Sequence, residues 1–181
     1  VFEYYVAIAD VMVPHIAGRP VTRKRCHNGV NESAFFEKQL ASSAPEWLHR
    51  GSVSHKSGTT TYPVIDTREG LAWIAQQAAL EVHVPQWRFV GSEVGPATRI
   101  VFDLDPGEDV TMAQLGEVAR AVKEFMGDIG LTTYPLTSGS KGLHLYVPLA
   151  DPVSSRGASV LAKRVALQLE KSMPKQVTAT M

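Results

Sequence analysis

The sequence has little cysteine, no long apolar run and no low-complexity linker. Its 181 residues include one cysteine, Cys26, so an internal disulfide is excluded and a reducing compartment such as the cytoplasm is favoured. No stretch is apolar over the length that a membrane-spanning helix needs, and no signal-peptide pattern is present, so we expect a cytoplasmic location and no membrane partner. With 44% apolar residues and no internal repeat, the chain can bury a sizeable core, and we predict a single domain over residues 1–181.

Net charge is also absent, because 18 basic residues balance 18 acidic ones. The distribution is nevertheless uneven. Residues 1–18 contain no lysine or arginine, whereas residues 19–56 contain seven basic residues and three acidic ones. The seven are Arg19, Arg23, Lys24, Arg25, Lys38, Arg50 and Lys56. Such a patch can follow a phosphate backbone, and a solvated surface of mixed charge is the equal alternative.

Two aspartates follow an apolar, β-branched run near the middle of the chain. The run RIVFDLDPG (99–107) stops at a Pro-Gly pair, which predicts a buried strand. Alternation along a strand places Asp103 and Asp105 on one side and Leu104 on the other. Neighbouring carboxylates repel each other unless a cation lies between them, and hard oxygen ligands favour Mg²⁺ or Mn²⁺. Taken alone, the pair is also typical of a turn or a solvated strand edge.

A glycine-rich segment, SGSKGLHLYV, follows at residues 138–147. Its small residues let backbone N–H groups approach an anion, and Ser138, Ser140, Lys141 and His144 add groups that suit a polyphosphate. An ordinary hairpin loop is the alternative for this segment alone. A strand, a helix and then a glycine-rich loop leading into a strand can bring both segments to one end of a sheet. We therefore predict a joint metal and nucleotide site.

The remaining pattern predicts helices mixed with strands, and hence an α/β or α+β fold. Thr111 and Gln114 form a capping box, and alternation after residue 79 places Glu81 and His83 on one side of a strand. Helices are predicted at residues 2–18, 68–79, 111–127 and 156–172, and strands at 21–26, 52–56, 59–65, 80–84, 99–105, 131–137 and 143–149.

Several separated segments resemble one known family. In chain order they are VTRKR with NGV (21–30), FFEKQL (35–40), SGTTTYPVID (57–66), GLAWIAQQAALEVHVPQWR (70–88), VFDLDPG (101–107) and SGSKGLHLYVPL (138–149). Together they resemble the polymerase domain of bacterial DNA ligase D, which belongs to the archaeo-eukaryotic primase superfamily. The resemblance implies a primase-polymerase fold of two interlocked α/β modules, the catalytic one RRM-like, with the active site between them.

The resemblance also implies an activity. It is a DNA-directed nucleotidyltransferase of non-homologous end joining that fills or extends broken DNA ends, prefers ribonucleotides and uses two Mn²⁺ or Mg²⁺ ions. The implied partners are DNA ends with a 5′-phosphate, NTP or dNTP, the Ku protein, and the ligase and nuclease domains of a parent protein. The implied location is the bacterial cytoplasm, in association with the nucleoid.

Functional residues follow from the resemblance position by position. The implied metal ligands and catalytic residues are Asp103 and Asp105. The implied nucleotide-binding residues are Lys24, His83, Ser138, Gly139, Ser140, Lys141 and His144, and the implied DNA-binding residues are Arg25, Asn28, Phe35 and Phe36. Without the resemblance, His83 reads as a core histidine and Lys24 as an edge-strand charge. Because successive strand residues face opposite ways, we expect one of the two phenylalanines to be buried and the other exposed.

By the same resemblance, residues 1–181 lack both ends of the family's domain. Lysines that grip a 5′-phosphate are expected before Val1, and a third metal carboxylate is expected on a strand beyond Met181. Two alternatives of other classes remain open from the sequence. One is a non-catalytic DNA-end-binding module, and the other is a Mn²⁺-dependent nucleotide-sugar glycosyltransferase, which also uses Asp-x-Asp.

Overall fold

The computed structural model describes residues 1–179 and divides into two compact units, Val1–Gly95 and a second that begins at Pro96. The helices are α1 (Phe2–Ala7), α2 (Ala9–Ile16), α3 (Arg68–Gln76), α4 (Met112–Asp128) and α5 (Ser155–Ser172). The strands are β1 (Thr22–Arg25), β2 (Phe35–Glu37), β3 (Arg50–His55), β4 (Gly58–Pro63), β5 (Ala79–His83), β6 (Trp87–Val90), β7 (Glu93–Leu104), β8 (Tyr134–Thr137) and β9 (Leu143–Val153).

The first unit packs helices beside a small antiparallel sheet of order β2-β1-β5. A separate hairpin joins β3 to β4. Tyr5 and Ile16 from the first two helices, Val21 from the segment before β1, and Leu71 and Ile74 from α3 are all buried in one apolar cluster. Burial of this apolar surface is the force that holds the short strands in place, since a small sheet is only marginally stable by itself.

The second unit has the element order β-α-β-β-α, from β7 through α4, β8 and β9 to α5. Its antiparallel strands run in the order β7-β9-β8, which is the arrangement of a split βαβ motif. Cross-strand neighbours share a face, so Ile100 lies beside Val147 and Phe102 beside Leu145. These residues pack with both helices in a second apolar cluster, in which Val165 of α5 is fully buried.

The opposite face of this sheet carries the polar residues. Asp103 is directly opposite His144, and Val101 is directly opposite Tyr146. Alternation places these four residues on the side away from the apolar cluster. The candidate metal strand therefore has one face in the core and one face available for chemistry.

Local sequence signals explain where the helices of the second unit begin. The Thr111 side chain accepts a hydrogen bond from the Gln114 backbone N–H, and the Gln114 side chain accepts one from the Thr111 backbone N–H. This is the capping box that the sequence predicts. Ser154 caps α5 in the same way, because its hydroxyl accepts a hydrogen bond from the Gly157 N–H at 3.0 Å.

The mixed helix and sheet fold predicted from the sequence is confirmed, with differences at several boundaries. The helix expected at residues 2–18 is two helices, α1 and α2, separated at Ile8. The third helix ends at Gln76 because Ala78 takes a positive φ of 54°, which no helix continues. The metal strand begins at Glu93, well before the expected residue 99, and β8 begins only at Tyr134. Within residues 1–179, no helix is long and apolar enough to cross a membrane.

Shortening a side chain should have different effects on the two faces of the second unit's sheet. Leu145 is 1% exposed in the apolar cluster, whereas Leu136 on the neighbouring strand is 53% exposed. Leu145→Ala should lower the free energy of unfolding by about 2–5 kcal/mol, and Leu136→Ala by less than about 1 kcal/mol. All three tryptophans lie in the first unit, so far-UV circular dichroism during chemical denaturation is the suitable measurement. Equal losses in the two variants would contradict this assignment of the faces.

Candidate nucleotide and nucleic-acid sites

The two aspartates lie at the end of β7. Asp103 is the second-last residue of the strand, and Asp105 follows the last one, Leu104. Both aspartates are exposed, whereas Leu104 is half-buried against the apolar cluster of the second unit. The alternation predicted from the sequence is therefore present, and both carboxylates are accessible to solvent and to a ligand.

His144 lies directly across the strand pair from Asp103. Its Nε2 is 3.2 Å from Asp103 Oδ1, and its side chain is half-buried. The imidazole ring lies beside Tyr146, with 6.2 Å between ring centroids, and the guanidinium of Arg99 lies 5.1 Å from the Tyr146 ring centroid. His144 thus links the carboxylate strand to the strand that follows the glycine-rich loop, a contact that the sequence pattern did not predict.

The glycine-rich loop is a tight connection between β8 and β9. The Ser138 N–H donates to the Gly142 carbonyl oxygen at 3.0 Å, and the Gly142 N–H donates to Ser138 Oγ at 3.0 Å. Ser138 Oγ also accepts the Ser140 N–H at 3.4 Å, and Gly139 takes a positive φ of 83° that suits glycine. The Ser138 hydroxyl therefore has a structural role that the sequence motif did not predict, since it holds the loop closed.

Gly142 places this loop against the end of the carboxylate strand. A Cβ atom added to Gly142 would lie 2.8 Å from the Leu104 carbonyl oxygen and 3.2 Å from Asp105 Oδ1. Only a residue without a side chain permits this approach. The structure therefore brings the second aspartate and the loop into contact within one unit, while Ser140 and Lys141 are exposed on the same short segment.

The donor groups at this end of the sheet suit a hard divalent cation but do not form a complete ligand set. Asp103 and Asp105 supply carboxylate oxygens, and His144 supplies an imidazole that already lies beside Asp103. In the part of the chain that the structure describes, no group of three or more His, Cys, Asp or Glu side chains is arranged to hold a metal ion. Mg²⁺ commonly takes one or two protein carboxylates and completes its shell with water and substrate phosphates, so the two aspartates fit that mode of binding.

A second group of predicted site residues lies on the first unit's three-stranded sheet. Lys24 of β1 is directly opposite Glu81 of β5 on one side and Phe36 of β2 on the other. Lys24 Nζ donates to Glu81 Oε1 at 2.5 Å, and Glu81 Oε2 is 2.9 Å from His83 Nε2. The Phe36 ring meets the His83 ring edge to face, with 5.2 Å between centroids. Alternation along the strand predicts that Glu81 and His83 share a side, but no sequence motif marks Glu81 as functional.

Hydrogen bonds from Lys24 and then from His83 lower the pKa of the Glu81 carboxyl, and the same contact with Glu81 raises the pKa of the Lys24 ammonium. Both groups are therefore charged at neutral pH. Because a carboxylate with a lowered pKa gives up its stabilising contacts when it takes a proton, the network weakens as the pH falls into the acidic range.

On the other face of this sheet, two arginines of the basic segment are buried, and they belong neither to a phosphate-binding patch nor to a solvated surface of mixed charge. Arg23 is 1% exposed, and its Nη2 donates to the Gln39 carbonyl oxygen at 2.9 Å and lies 3.0 Å from Glu37 Oε2. Its guanidinium lies 5.3 Å from the centroid of the Trp73 ring. Burial lowers the pKa of Arg23, and Glu37 opposes that shift. Arg19 is also buried, and it donates to the carbonyl oxygens of Pro85 and Trp87. Neither arginine is placed on the surface.

The remaining basic residues of β1 are paired with acids. Arg25 Nη1 lies 3.1 Å from Glu37 Oε2, and Arg25 Nε donates to the Gln77 carbonyl oxygen at 2.6 Å. Lys24 is paired with Glu81. The net charge counted from the sequence therefore overestimates the positive charge at the surface, because the arginines and the lysine described above are buried or paired with acids. Asn28, by contrast, is exposed in the connection between β1 and β2.

The expectation that one of the two phenylalanines is buried is wrong. Phe35 is 47% exposed and Phe36 is 60% exposed. They do face opposite ways, since Phe36 contacts His83 while the Arg25 guanidinium lies 5.5 Å from the Phe35 ring centroid. The core does not reach Phe35 because β2 is a three-residue strand at the edge of the sheet. Both rings can therefore meet a ligand.

Comparison with known proteins shows the family of the chain. The family model described as "LigD, primase-polymerase domain" matches residues 1–181. The chain belongs to this family. A relative from Mycolicibacterium smegmatis, named multifunctional non-homologous end joining protein LigD, is 77% identical over 181 residues, which is 100% of this chain and 24% of the relative. The corresponding DNA repair protein LigD of Mycobacterium tuberculosis strain H37Rv is 69% identical over 187 residues, covering 100% of this chain and 25% of the relative.

A solved structure gives the same assignment. It is described as the polymerase domain of Mycobacterium tuberculosis ligase D in complex with DNA, and it matches with a TM-score of 0.97 and 70% sequence identity. The match covers 100% of this chain and 65% of the solved chain. The chain thus spans about a quarter of the length of the curated relatives and about two thirds of the solved domain.

The exposure of both phenylalanines predicts small effects on stability. Phe35→Ala and Phe36→Ala should each change the free energy of unfolding by less than about 1 kcal/mol, whereas Leu71→Ala in the buried cluster should cost about 2–5 kcal/mol. Trp73 is buried in that cluster, so tryptophan fluorescence during denaturation monitors this unit. A loss of several kcal/mol at either phenylalanine would show that its ring is in the core.

The close approach at Gly142 predicts strain when a methyl group is added. Gly142→Ala should destabilise the protein by about 1–3 kcal/mol, because Leu104 and Asp105 must move. Gly127→Ala is the matched control, since an added Cβ in that helix meets nothing within 4 Å and alanine favours helix by about 1 kcal/mol. Thermal melting followed by circular dichroism compares the two. Equal melting temperatures would mean that the loop does not press against the strand.

Proposed function

We propose that this chain is the nucleotide-adding part of a DNA end-joining protein, and that it transfers nucleotides to the 3′ end of a broken DNA strand. The observation that carries the proposal is the contact of the Asp103/Asp105 strand end with the 138–142 loop, which brings two candidate metal ligands beside a candidate phosphate-binding loop. Membership of the primase-polymerase family supports it, as does the name of the M. smegmatis relative.

Asp103 and Asp105 would hold two divalent ions, Mg²⁺ or Mn²⁺. When bound, such ions lower the pKa of an attacking hydroxyl and neutralise charge on a leaving pyrophosphate. The remaining coordination positions would be filled by nucleotide phosphates and water. His144 would orient Asp103, because its Nε2 is 3.2 Å from that carboxylate and restricts the conformations it adopts.

The loop would hold the β- and γ-phosphates of an incoming nucleotide. The exposed Ser140 hydroxyl and Lys141 ammonium are the charged and polar groups that this segment offers, while Ser138 and Gly139 set the shape of the turn. In the first unit, Lys24 and His83 are the residues for which the family resemblance implies nucleotide binding. The protein would act mainly by positioning reactants and by placing charge before the reaction begins.

DNA would be held by Arg25, Asn28, Phe35 and Phe36. Both phenylalanine rings are exposed, which is what stacking against unpaired bases requires. Stacking on one such ring is worth about 1–3 kcal/mol, so single alanine variants should weaken binding of single-stranded ends without unfolding the protein. We further propose that ribonucleotides are preferred, and that Ku and the ligase and nuclease activities act on the same broken ends.

Replacement of the aspartates tests the proposal. Asp103→Asn or Asp105→Asn should lower nucleotide incorporation about 10²–10³-fold or more, by analogy with the loss of one electrostatic contact to a transition state. Asp151→Asn is the matched control, because Asp151 is an exposed carboxylate on β9 of the same unit. Extension of a primed DNA end with ATP or dATP, in Mn²⁺ and in Mg²⁺, is the assay. Near wild-type incorporation by either site variant would remove the metal site from the proposal.

A non-catalytic DNA-end-binding module is the second candidate. The observation that favours it is the incomplete set of metal ligands within residues 1–179. The two candidates differ in one result: the binding module would hold DNA ends with normal affinity and show no incorporation with any nucleotide or metal. Incorporation that depends on the two aspartates would exclude it.

A further inference from the structure

Glu81 is the central residue of a network that crosses all three strands of the first unit's sheet. One of its carboxylate oxygens accepts from Lys24 Nζ at 2.5 Å, and the other lies 2.9 Å from His83 Nε2. The Phe36 ring then packs edge to face against His83. The carboxylate therefore contacts both of the first unit's proposed nucleotide-binding residues, and each oxygen serves a different one.

The Glu81 carboxylate determines which His83 ring nitrogen carries the proton and restricts the position of the Lys24 ammonium. An ionised carboxyl group accepts hydrogen bonds and cannot donate them, so the proton on the His83 ring must be at Nε2. In the neutral ring this leaves Nδ1 as the acceptor. On the other side, Lys24 has a long flexible stem with several rotatable bonds, and a charge-assisted hydrogen bond restricts where its ammonium lies. Both groups thus have one preferred state before a ligand arrives.

The backbone of β1 is irregular at the same place. The register between β1 and β5 shifts between Lys24 and Arg25, as at a β-bulge. A bulge redirects side chains, and bulges are more frequent beside active sites than elsewhere in sheets. Stability alone gives little reason for this arrangement, because Glu81, Lys24 and His83 are all substantially exposed, and exposed ion pairs contribute little to folding.

We propose that Glu81 is a positioning residue, which holds the Lys24 ammonium in place and the His83 ring in the orientation and tautomer that bind the phosphate-bearing substrate, without itself touching that substrate. The identity of the substrate, a nucleoside triphosphate, rests on the proposed nucleotidyltransferase function. The arrangement of the three side chains does not depend on it.

Kinetics of Glu81→Ala provide the first test. With both partners released, the KM for ATP in primer extension should rise about 10-fold, which is the size of one lost hydrogen bond to a charged group, while kcat changes less than about 2-fold. Glu81→Gln keeps one acceptor oxygen and should give an intermediate KM. Glu46→Ala, which removes an exposed carboxylate from the same unit, should leave both constants unchanged.

A background test separates positioning from a general structural effect. In a protein that already carries Lys24→Ala and His83→Ala, adding Glu81→Ala should cause no further rise in the KM for ATP, because Glu81 acts through those two residues. Thermal melting of each variant excludes unfolding as the cause. A further rise in KM in this background would overturn the proposal. So would a rise in KM for the single variant Glu81→Ala that is accompanied by a melting temperature below that of the wild type.

The opposite kinetic result would also overturn it. If Glu81→Ala lowered the KM for ATP, the carboxylate would be masking the Lys24 charge and not positioning it. An unchanged KM would show that neither partner needs Glu81.

A spectroscopic measurement tests the positioning role of Glu81 independently of the proposed nucleotidyltransferase function. The nitrogen-15 chemical shifts of the His83 ring report which nitrogen carries the proton, with no requirement for activity. We expect Nε2 to carry it in the wild type and the population to shift towards Nδ1 in Glu81→Ala. If the wild type incorporates no nucleotide, the proposed function fails and this shift still decides whether Glu81 sets the state of His83. Identical ring shifts in the two proteins would overturn the positioning role.

Discussion

The pairing of β7 with β9 is the constraint on which the candidate site of the second unit depends. Register places His144 opposite Asp103, and the same register brings Gly142 against the Leu104 carbonyl oxygen and Asp105. A shift by one residue would move Asp103 to the core face and expose Phe102. The apolar cluster that buries Ile100, Leu145 and Val147 therefore fixes the chemistry on the opposite face, because burial of one face leaves a single acceptable register.

The sheet of the first unit also has one face in the core and one face that carries polar side chains. Its core face carries Arg23, which is buried and contacts Glu37, Gln39 and Trp73. Its other face carries Lys24, Glu81 and His83 within hydrogen-bonding distance of one another. Of the three consecutive basic residues, Arg23 and Arg25 share Glu37 Oε2, and Lys24 contacts Glu81 on the opposite face. Arg23 is buried, whereas Lys24 is only partly buried in its pair with Glu81.

Much of the architecture was predictable from the sequence, because the relevant signals are local. The Thr111–Gln114 capping box and the alternation of Asp103 with Leu104 depend on neighbouring residues, and the structure confirms both, although the strand ends one residue earlier than expected, at Leu104. The match of the family model confirms the family resemblance. The resemblance could be recognised because six motifs in one order are far more specific than any one of them. The family to which the chain belongs is a primase-polymerase family, which disfavours the nucleotide-sugar alternative.

Other features depend on contacts between distant segments and could not be predicted. Charge counting places Arg19 and Arg23 at the surface, since nothing nearby in the sequence signals Trp73 or the carbonyl oxygens of residues 85 and 87. Opposite orientation of Phe35 and Phe36 was correct, but burial of one of them was not, because the end of the core depends on how far β2 extends. Glu81 carried a usable signal, since it lies two residues from His83 on one strand, although Lys24 became its partner only through strand pairing.

Paramagnetic broadening by Mn²⁺ tests the central claim most directly, which is that the end of β7 and the 138–142 loop form one metal and nucleotide site. Nitrogen-15-labelled protein would be titrated with small amounts of Mn²⁺ in the presence of ATP, and backbone amide signals would be followed. We predict selective loss of the signals of residues 103–105 and 138–144, and no such loss in Asp103→Asn. Broadening centred on other residues, or equal broadening in the variant, would contradict the account.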